Sequence, residues 1–221
     1  MARKALAIFM AFWAGLTLLT LGYYPVPGMD EIMFLDPAIN LAWGKGFFTG
    51  YWPAQPVDQL FSAYPPLYIL LESLWVSVWG LSPLAVRSLS ILFAGLATWL
   101  LTWYGYKQGY LPRQKDQLLF AALILLSYGF AFSYRSGRPE AFVLLVLSGA
   151  WILINQSNWT SKSMGGLVLL GMLGALTGLQ VSILIGLAGM SYLFQKLSFS
   201  HIAVRFKRLL FWGAGACLGL G

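Results

Sequence analysis

Charged side chains are scarce in this sequence, and acidic ones are the scarcest. Only 10% of the 221 residues are charged, with 14 Lys and Arg against seven Asp and Glu, while 59% are hydrophobic. Soluble domains carry about 25% charged residues, so an ordinary soluble domain is excluded. Several apolar runs approach the roughly 20 residues that cross a bilayer. We therefore expect an all-α, polytopic transmembrane helix bundle, multi-pass in the cell (inner) membrane and in contact with membrane lipids.

Cysteine and histidine are nearly absent, with one residue of each. The single thiol, Cys217, excludes a disulfide framework and a thiolate metal site. His201 stands beside a basic turn and is expected to be a solvated loop residue. The residues predict no metal site, and no strand–G-x-G-x-x-G–helix pattern indicates a soluble nucleotide-binding domain.

The basic residues are scattered at the edges of apolar runs, as Lys107 and Arg113 are. This is the pattern of cytoplasmic membrane loops, and it does not indicate a nucleic-acid partner. Arg3 and Lys4 likewise precede the first apolar run, 5–24. That run is longer than a signal-peptide core, and no A-x-A-like site follows it. We expect a retained anchor whose N-terminus lies inside.

Later apolar segments lie at about 65–81, 84–104, 117–134, 139–155 and 164–195, and a last one begins near 209. Two topologies are open. If every segment crosses once, the loop that contains Lys107 falls outside, against the charge pattern. If 65–104 crosses once in total, that loop returns inside, but 164–195 must then be a broken hairpin. We favour the second arrangement, because it suits the charge pattern and places Arg135 and Arg138 on the outer face with Asp30.

The last apolar run, LLFWGAGACLGLG, is too short to cross a membrane. We therefore expect one transmembrane domain over residues 1–221, forming the N-terminal part of a longer protein. The Gly-rich segment GGLVLLGMLGALTG indicates close helix packing, because small residues let backbones approach.

The stretch 25–64 between the first two apolar segments carries four acids and one basic residue, so we expect an extracytoplasmic acidic loop. Asp36 suits a helix N-cap, Pro37 the first helical position and Gly44 the stop. A short, largely apolar helix is therefore predicted from Pro37 to Trp43. We expect it to lie along the membrane interface, with its tryptophan at the level of the lipid headgroups.

Two neighbouring acids, Asp30 and Glu31, stand near the start of this loop. Two solvated loop acids are the simplest interpretation. Acids are rare in this chain, however, and a partly desolvated carboxylate at the water boundary of a helix bundle suits a general base. The pair is therefore a candidate catalytic site.

The segment AYPPLYILLESLW carries an acid inside an apolar run. Pro65 and Pro66 favour a helix start, which places Tyr64 at a membrane entry point and Glu72 about two turns further along. An ionisable residue at that depth either has a functional role or pairs with a neighbouring cation. Both interpretations are open for Glu72.

Arginines recur near predicted helix starts. Arg87 follows SPLAV, while Arg135 and Arg138 precede Glu140 in SYRSGRPEAF. Arg87 and Arg135 suit residues that set topology or snorkel to the interface. The third arginine is more specific, because Glu140 at a helix start interacts with the helix dipole and leaves Arg138 free. Arginine forks suit phosphate oxygens.

The sequence resembles the polytopic GT-C membrane glycosyltransferases, namely the protein mannosyltransferase and aminoarabinose-transferase-like group (glycosyltransferase family 39-like). The features that carry the resemblance are the acidic pair after the first span, the Pro-Pro-Leu entry, G-L-S-P-L-A-V-R, the Arg-Pro-acid turn and GALTGLQ, in that order. They cover roughly residues 1–200. The resemblance implies a GT-C helix bundle that transfers a hexosyl or pentosyl unit, with inversion, at the outer face of the membrane.

The resemblance also implies the substrates. The donor is a polyprenyl-phosphate sugar, and the acceptor is a hydroxyl of a protein, lipid or glycan. The lipid-phosphate-linked sugar is a substrate rather than a cofactor. No certain cofactor is implied, and a divalent metal is left open.

The matching positions imply roles for individual residues. Asp30 matches the catalytic base toward the acceptor, with Glu31 beside it. Arg87 and Arg138 match recurrent arginines that bind substrate, and Glu140 stands where the family often has Asp. One position departs from the family pattern. Where the family commonly has His or Lys before Pro-Pro, close to the lipid phosphate, this chain has Tyr64, which donates a hydrogen bond but carries no positive charge.

Two other functions are open on the sequence. A transporter or flippase-like bundle would use Glu72 in its pathway, although no internal repeat is visible. A non-catalytic membrane subunit would need none of the candidate residues. Transfer assays with labelled polyprenyl-phosphate sugars distinguish the enzyme from both.

Overall fold

The computed structural model describes residues 2–178 except 53, 54, 58 and 157–159, together with 181, 183, 210 and 211. This part of the chain forms eight α-helices and no β-strand, which confirms the expected all-α class for the described residues. The helices are α1 Ala2–Thr20, α2 Met29–Ala42, α3 Pro66–Trp79, α4 Pro83–Lys107, α5 Gln114–Leu126, α6 Tyr128–Arg135, α7 Glu140–Ile154 and α8 Ser161–Thr177. They fall into two compact units, residues 1–145 and 146–221. His201, Cys217 and most of the expected broken hairpin beyond Thr177 lie outside the described residues.

Helix α4 organises the first unit. It has 25 residues, which makes it about 37 Å long at the rise of an α-helix, and it packs against α1, α3, α5 and α6. The Ser82 hydroxyl caps its start by accepting a hydrogen bond from the Ala85 amide at 3.1 Å. Pro83 suits the first helical position because its missing N–H would have no partner there.

The core of this unit lies among α1, α4, α5 and α6. Its buried members are Trp13, Leu21, Ile91, Ala94, Leu125, Tyr134 and Ala141. The Trp13 indole donates to the Tyr134 hydroxyl at 3.1 Å, and this hydroxyl donates to the Leu125 carbonyl at 2.7 Å. Buried polar atoms need such partners, so this chain of bonds links three helices without an unpaired group.

In the described part of the chain, α4 is the one helix long and apolar enough to cross a membrane by itself. A second span results only if α5 and α6 are counted together across their 62° bend. Helices α1, α3, α7 and α8 are apolar but shorter. The polytopic arrangement therefore stays a prediction.

The apolar segment predicted over 117–134 is divided in the structure. Helix α5 ends at Leu126 and α6 begins at Tyr128, because Ser127 adopts an extended conformation with ψ of 128°. The Ser127 hydroxyl donates to the Ile124 carbonyl at 2.9 Å, which satisfies an acceptor at the helix end. The bend lets α6 pack on α4, as well as on α5.

The helix in the first loop begins earlier than predicted. It starts at Met29, so the prediction of Asp36 as its N-cap and Pro37 as its first residue is wrong. The Asp36 carboxylate instead accepts hydrogen bonds from the Thr49 hydroxyl and the Gly50 amide, each at 2.8 Å. An Asp-Pro pair suits a helix start, but here the aspartate lies in the middle of α2. Its hydrogen bonds connect the helix to the loop that contains Thr49 and Gly50.

Tertiary contacts account for the longer helix. Asp30 and Glu31 lie in its first turn, where carboxylates favour the positive end of the helix dipole. Further along, Phe34 and Ala38 are buried, and α2 packs on α3. The free energy gained by this burial offsets the cost of the backbone hydrogen bond that is missing at Pro37, which has no N–H.

The predicted stop of α2 at Gly44 is confirmed. Gly44 has φ of 69°, a conformation that favours glycine. Its amide donates to the backbone carbonyl of Leu41 at 3.1 Å, and the Lys45 amide donates to the backbone carbonyl of Asn40 at 2.9 Å. These two bonds form the Schellman pattern of a helix end. Trp43 is 57% exposed, and its location at a membrane interface stays a prediction.

The contacts of Asp36 predict its effect on the loop. Replacing Asp36 by Ala should speed amide hydrogen exchange at Gly50 by about 10- to 100-fold, because hydrogen bonds to a charged group contribute about 1.5–3 kcal/mol. Exchange is read by mass spectrometry on the protein in nanodiscs. The control is Asp116→Ala, which removes an acid from the first turn of α5. Equal exchange at Gly50 in wild type and Asp36→Ala would contradict the contact.

The described part of the second unit contains the end of α7 and helix α8. A Cβ built on Gly166 would lie 3.1 Å from Leu153, and one on Gly149 would lie 3.2 Å from Leu170. Larger side chains at either glycine would push these helices apart. The close packing predicted from the Gly-rich segment is therefore present at Gly166.

Candidate functional site

Several predicted site residues lie close together although they come from distant segments. They belong to the first turn of α2, the second turn of α4, and the turn between α6 and α7 (residues 136–139) with its flanking residues. Two groups of contacts connect them. One is buried, and the other is open to solvent.

Glu31 and Arg87 form the buried group. The Arg87 Nε donates to Glu31 Oε1 at 2.7 Å and Nη2 to Oε2 at 2.7 Å, while Nη1 donates to the Leu21 carbonyl at 2.9 Å. The Arg87 side chain is 1% exposed and the Glu31 side chain is 6% exposed. Such a two-pronged pair is geometrically specific. It joins the start of α2 to α4 and to the residue that follows α1.

The buried pair limits the roles predicted for Arg87 and Glu31. Arg87 does not snorkel, because its guanidinium is buried. Both oxygens of Glu31 accept from Arg87, so Asp30 is the more accessible of the two adjacent acids. The catalytic role of Glu31 and the substrate-binding role of Arg87 stay predictions, and each would require the buried pair to open.

Asp30, Arg138 and Glu140 form the open group, called here the carboxylate–arginine cluster. Arg138 Nη1 lies 3.1 Å from Asp30 Oδ2, and its Nη2 lies 2.7 Å from Glu140 Oε1. The Asp30 side chain is 58% exposed, compared with 28% for Arg138. Glu140 also accepts from the Ser133 hydroxyl at 2.7 Å. One cation therefore stands between two carboxylates that solvent can reach.

The expectation that Arg138 is free is wrong. Glu140 does begin α7, as the sequence predicts, but its carboxylate pairs with the arginine two residues earlier as well as facing the helix dipole. Ion pairs exposed to this degree contribute about 0–1 kcal/mol. These two pairs therefore add little to the stability of the fold.

Tyr68 and Ser90 hold the backbone of the turn that carries Arg138. The Tyr68 hydroxyl lies 2.8 Å from the Gly137 carbonyl oxygen and 2.6 Å from Ser90 Oγ. Ser90 Oγ lies 2.9 Å from the Arg138 carbonyl oxygen. The two hydroxyl hydrogens make two of these contacts hydrogen bonds at a time: Tyr68 donates to Gly137 and Ser90 to Arg138, or one hydroxyl donates to the other. The sequence identified neither residue, since the Tyr68 contacts join positions 22 and 69 residues apart and no spacing rule reaches that far.

Arg135 belongs to a different set of contacts. Its Nη2 donates to the Tyr24 carbonyl at 2.9 Å and to the Thr20 carbonyl at 3.1 Å. Its guanidinium also stands 5.7 Å from the centre of the Tyr24 ring. Arg135 therefore holds the end of α1.

Tyr64 lies in an aromatic group at the side of α2. Its ring centre is 4.7 Å from that of Phe34 and 5.5 Å from that of Trp52. Phe34 follows Asp30 by four residues and so shares its face of the helix. Tyr64 is 36% exposed. The predicted contact of Tyr64 with a lipid phosphate stays a prediction.

Glu72 is fully buried and lies outside both groups. Among the described residues, neither of its carboxyl oxygens has a hydrogen-bond partner, and no cation pairs with it. Within this part of the chain, the interpretation of Glu72 as the partner of a neighbouring cation is therefore wrong. Burial without a partner favours the neutral form of a carboxyl group.

The described residues contain no group of three His, Cys, Asp or Glu side chains that could hold a metal ion. Asp30 and Glu140 approach a common point, but the guanidinium of Arg138 already stands between them. What the open group offers is a carboxylate beside a cation.

Comparison with known proteins identifies no relative: no family model, no curated protein and no solved structure matches the chain. The resemblance to GT-C enzymes rests on the residues quoted above.

Proposed function

We propose that this chain acts as a multi-pass membrane glycosyltransferase of the GT-C kind. It would transfer a sugar from a polyprenyl-phosphate donor to an acceptor hydroxyl at the outer face of the membrane. The observation that supports this most is the carboxylate–arginine cluster, in which the exposed Asp30 lies 3.1 Å from Arg138. Such a transfer needs a base for the acceptor proton and a cation for the departing phosphate.

In the proposed reaction Asp30 takes the proton of the acceptor hydroxyl. The hydroxyl oxygen bonds to the anomeric carbon from the face opposite the phosphate. The bond between that carbon and the phosphate oxygen breaks, and its electron pair leaves with the polyprenyl phosphate. Arg138 stabilises the charge that develops on this leaving group. A single displacement of this kind inverts the anomeric centre.

Arg138 would change partners when the donor binds. Without donor, its terminal nitrogens face Asp30 and Glu140. A phosphate matches the fork of an arginine and competes with carboxylates whose pairs contribute little. Donor binding would thereby free Asp30, so we expect the donor to bind before the acceptor.

The buried pair supports the site in this proposal. Glu31 is the residue after Asp30, and its two bonds to Arg87 hold the first turn of α2 in one position. A base must be held within hydrogen-bond reach of the proton that it takes. Tyr64, at the side of the same helix, would offer its hydroxyl to the donor phosphate.

A membrane location is supported by apolar faces that the first unit leaves uncovered. On α1 the exposed fractions are 69% for Ile8, 68% for Phe12 and 79% for Leu19. On α5, Leu119 and Leu123 are 61% and 64% exposed. In water such patches would be a liability, whereas lipid tails would cover them.

The side of the first loop can be tested by labelling. In a Cys217→Ser background, a cysteine at Gly50 should react with an impermeant maleimide in intact cells, because Arg3 and Lys4 keep the N-terminus inside. Gly50 is exposed, and a Cβ there would meet no atom within 4 Å. A cysteine at Ser161 reports the later loop in the same way. Labelling of Gly50 only after lysis would reverse the assignment.

Glu72 favours a transporter or flippase-like bundle as a second candidate function. Ionisable residues buried in membrane bundles mark ion and substrate pathways, and both of its oxygens lack partners among the described residues. A non-catalytic subunit is the third candidate, and no contact among the described residues favours it.

Reconstitution separates the candidates. Proteoliposomes would receive a polyprenyl-phosphate sugar labelled in the sugar, with a mixture of acceptor proteins, lipids and glycans outside. The enzyme produces a labelled acceptor, and a flippase moves the labelled lipid between leaflets without transfer. Transfer that Asp30→Asn abolishes and Glu72→Gln preserves supports the enzyme. Lipid movement that Glu72→Gln abolishes supports the transporter.

A further inference from the structure

We propose that Tyr68 and Ser90 are positioning residues that aim the Arg138 guanidinium at the donor phosphate, an inference that rests on the proposed function. Their side-chain hydroxyls contact the backbone on either side of the Arg138 Cα, at the carbonyl oxygens of Gly137 and Arg138.

The two hydroxyls contact the peptide groups on either side of the Arg138 Cα. The carbonyl of Gly137 belongs to the peptide group before the Arg138 Cα, and the carbonyl of Arg138 belongs to the peptide group after it. Tyr68 holds the first at 2.8 Å, and Ser90 holds the second at 2.9 Å. With both flanking peptide groups held, the direction of the Arg138 Cα–Cβ bond is set.

The turn that carries Arg138 packs closely against α4. Gly137 has φ of 66°, and a Cβ there would lie 3.5 Å from Val86 on α4. The Arg138 amide donates to the Ser133 carbonyl at 3.3 Å. The turn is therefore seated against α4, and its two carbonyls point into the helix bundle rather than toward solvent.

Both residues that hold the turn are buried. Tyr68 is 1% exposed and Ser90 is fully buried, so water cannot replace either hydroxyl when it is removed. A buried carbonyl that loses its partner bears the desolvation cost of an unmade hydrogen bond. The turn would then move to recover a partner, and the guanidinium would move with it.

The experiment compares Tyr68→Phe and Ser90→Ala with Tyr134→Phe, in the full chain in nanodiscs. Tyr134 is a matched control because its buried hydroxyl also holds a backbone carbonyl, that of Leu125 at 2.7 Å. The probe is a polyprenyl phosphate without sugar, and its affinity is measured by titration. We expect about tenfold weaker binding for Tyr68→Phe and Ser90→Ala, and wild-type binding for Tyr134→Phe.

A double-mutant cycle separates positioning from general stability. In an Arg138→Ala background the arginine side chain is gone, so Tyr68→Phe should weaken binding no further. An equal loss in both backgrounds would overturn the inference. In the transfer reaction, the donor KM should rise about tenfold while turnover at saturating donor falls much less.

Hydrogen exchange tests the same contacts without using activity. The Arg138 amide should exchange faster in Tyr68→Phe and Ser90→Ala but not in Tyr134→Phe. If the wild type binds no polyprenyl phosphate, the proposed function fails, while this exchange pattern still reports whether the turn is held. Unchanged exchange, or faster exchange in all three variants, would overturn the positioning role.

Discussion

Replacing Asp30 by Asn should lower the turnover of sugar transfer by about 10²–10⁴-fold, the usual contribution of a general base. The substitution keeps the size of the side chain and removes its capacity to take a proton. Donor affinity should stay at least as high as in the wild type, and should rise up to about fivefold, because the weak ion pair that competes for Arg138 is lost. Turnover and donor affinity are measured in nanodiscs at saturating acceptor.

Two controls sharpen this expectation. Asp116→Asn makes the same chemical change in the first turn of α5 and should leave turnover unchanged. Arg138→Ala should instead weaken donor affinity about tenfold or more, since a charged hydrogen bond is removed from the bound state, and should also lower turnover, because the arginine stabilises the departing phosphate. Near-normal turnover of Asp30→Asn at saturating donor and acceptor would show that Asp30 is not the base. The enzymatic interpretation would then depend on Glu31, and would be abandoned if Glu31→Gln were also active.

Replacing Arg87 by Met should lower the free energy of unfolding by about 3–5 kcal/mol. The carboxylate of Glu31 would stay buried but would lose the two hydrogen bonds of 2.7 Å that Arg87 donates to it. The Leu21 carbonyl would also lose its donor. Equilibrium unfolding in mixed detergent micelles measures the change.

The double variant Glu31→Leu/Arg87→Met tests the cause. Removing both charges together leaves no unpaired ion, so the double variant should be more stable than Arg87→Met alone. Arg138→Met, which breaks the exposed pairs, should cost about 1 kcal/mol or less. A double variant as unstable as the single one would mean that lost packing, rather than an uncompensated charge, explains the effect.

The sequence identified the elements whose signals are local. The Pro65-Pro66 pair predicts the start of α3, Gly44 predicts the end of α2, and Glu140 predicts the start of α7; all three are present. Proline, glycine and helix-end acids act through the backbone of their own few residues. Composition was enough for the all-α class of the described residues.

Local signals failed where a distant contact outweighed them. Asp36 and Pro37 have the pattern of a helix start, yet α2 continues back to Met29 because its first turns pack on other helices. Ser127 divides an apolar segment whose composition predicts one continuous helix. In both cases the local preference amounts to about 1 kcal/mol, which packing readily overrides.

The sequence alone was sufficient to list Asp30, Glu31, Arg87, Arg138 and Glu140 as the ionisable residues to consider, because charges are rare in this chain. Only the tertiary structure decided how they pair. It placed Glu31 with Arg87 in the interior, Asp30 with Arg138 at the surface, and Glu72 without a partner among the described residues. The Glu31–Arg87 bond joins positions 56 residues apart. Which carboxylate meets which arginine depends on the helices that touch, and no property of either residue's neighbours in sequence contains that information.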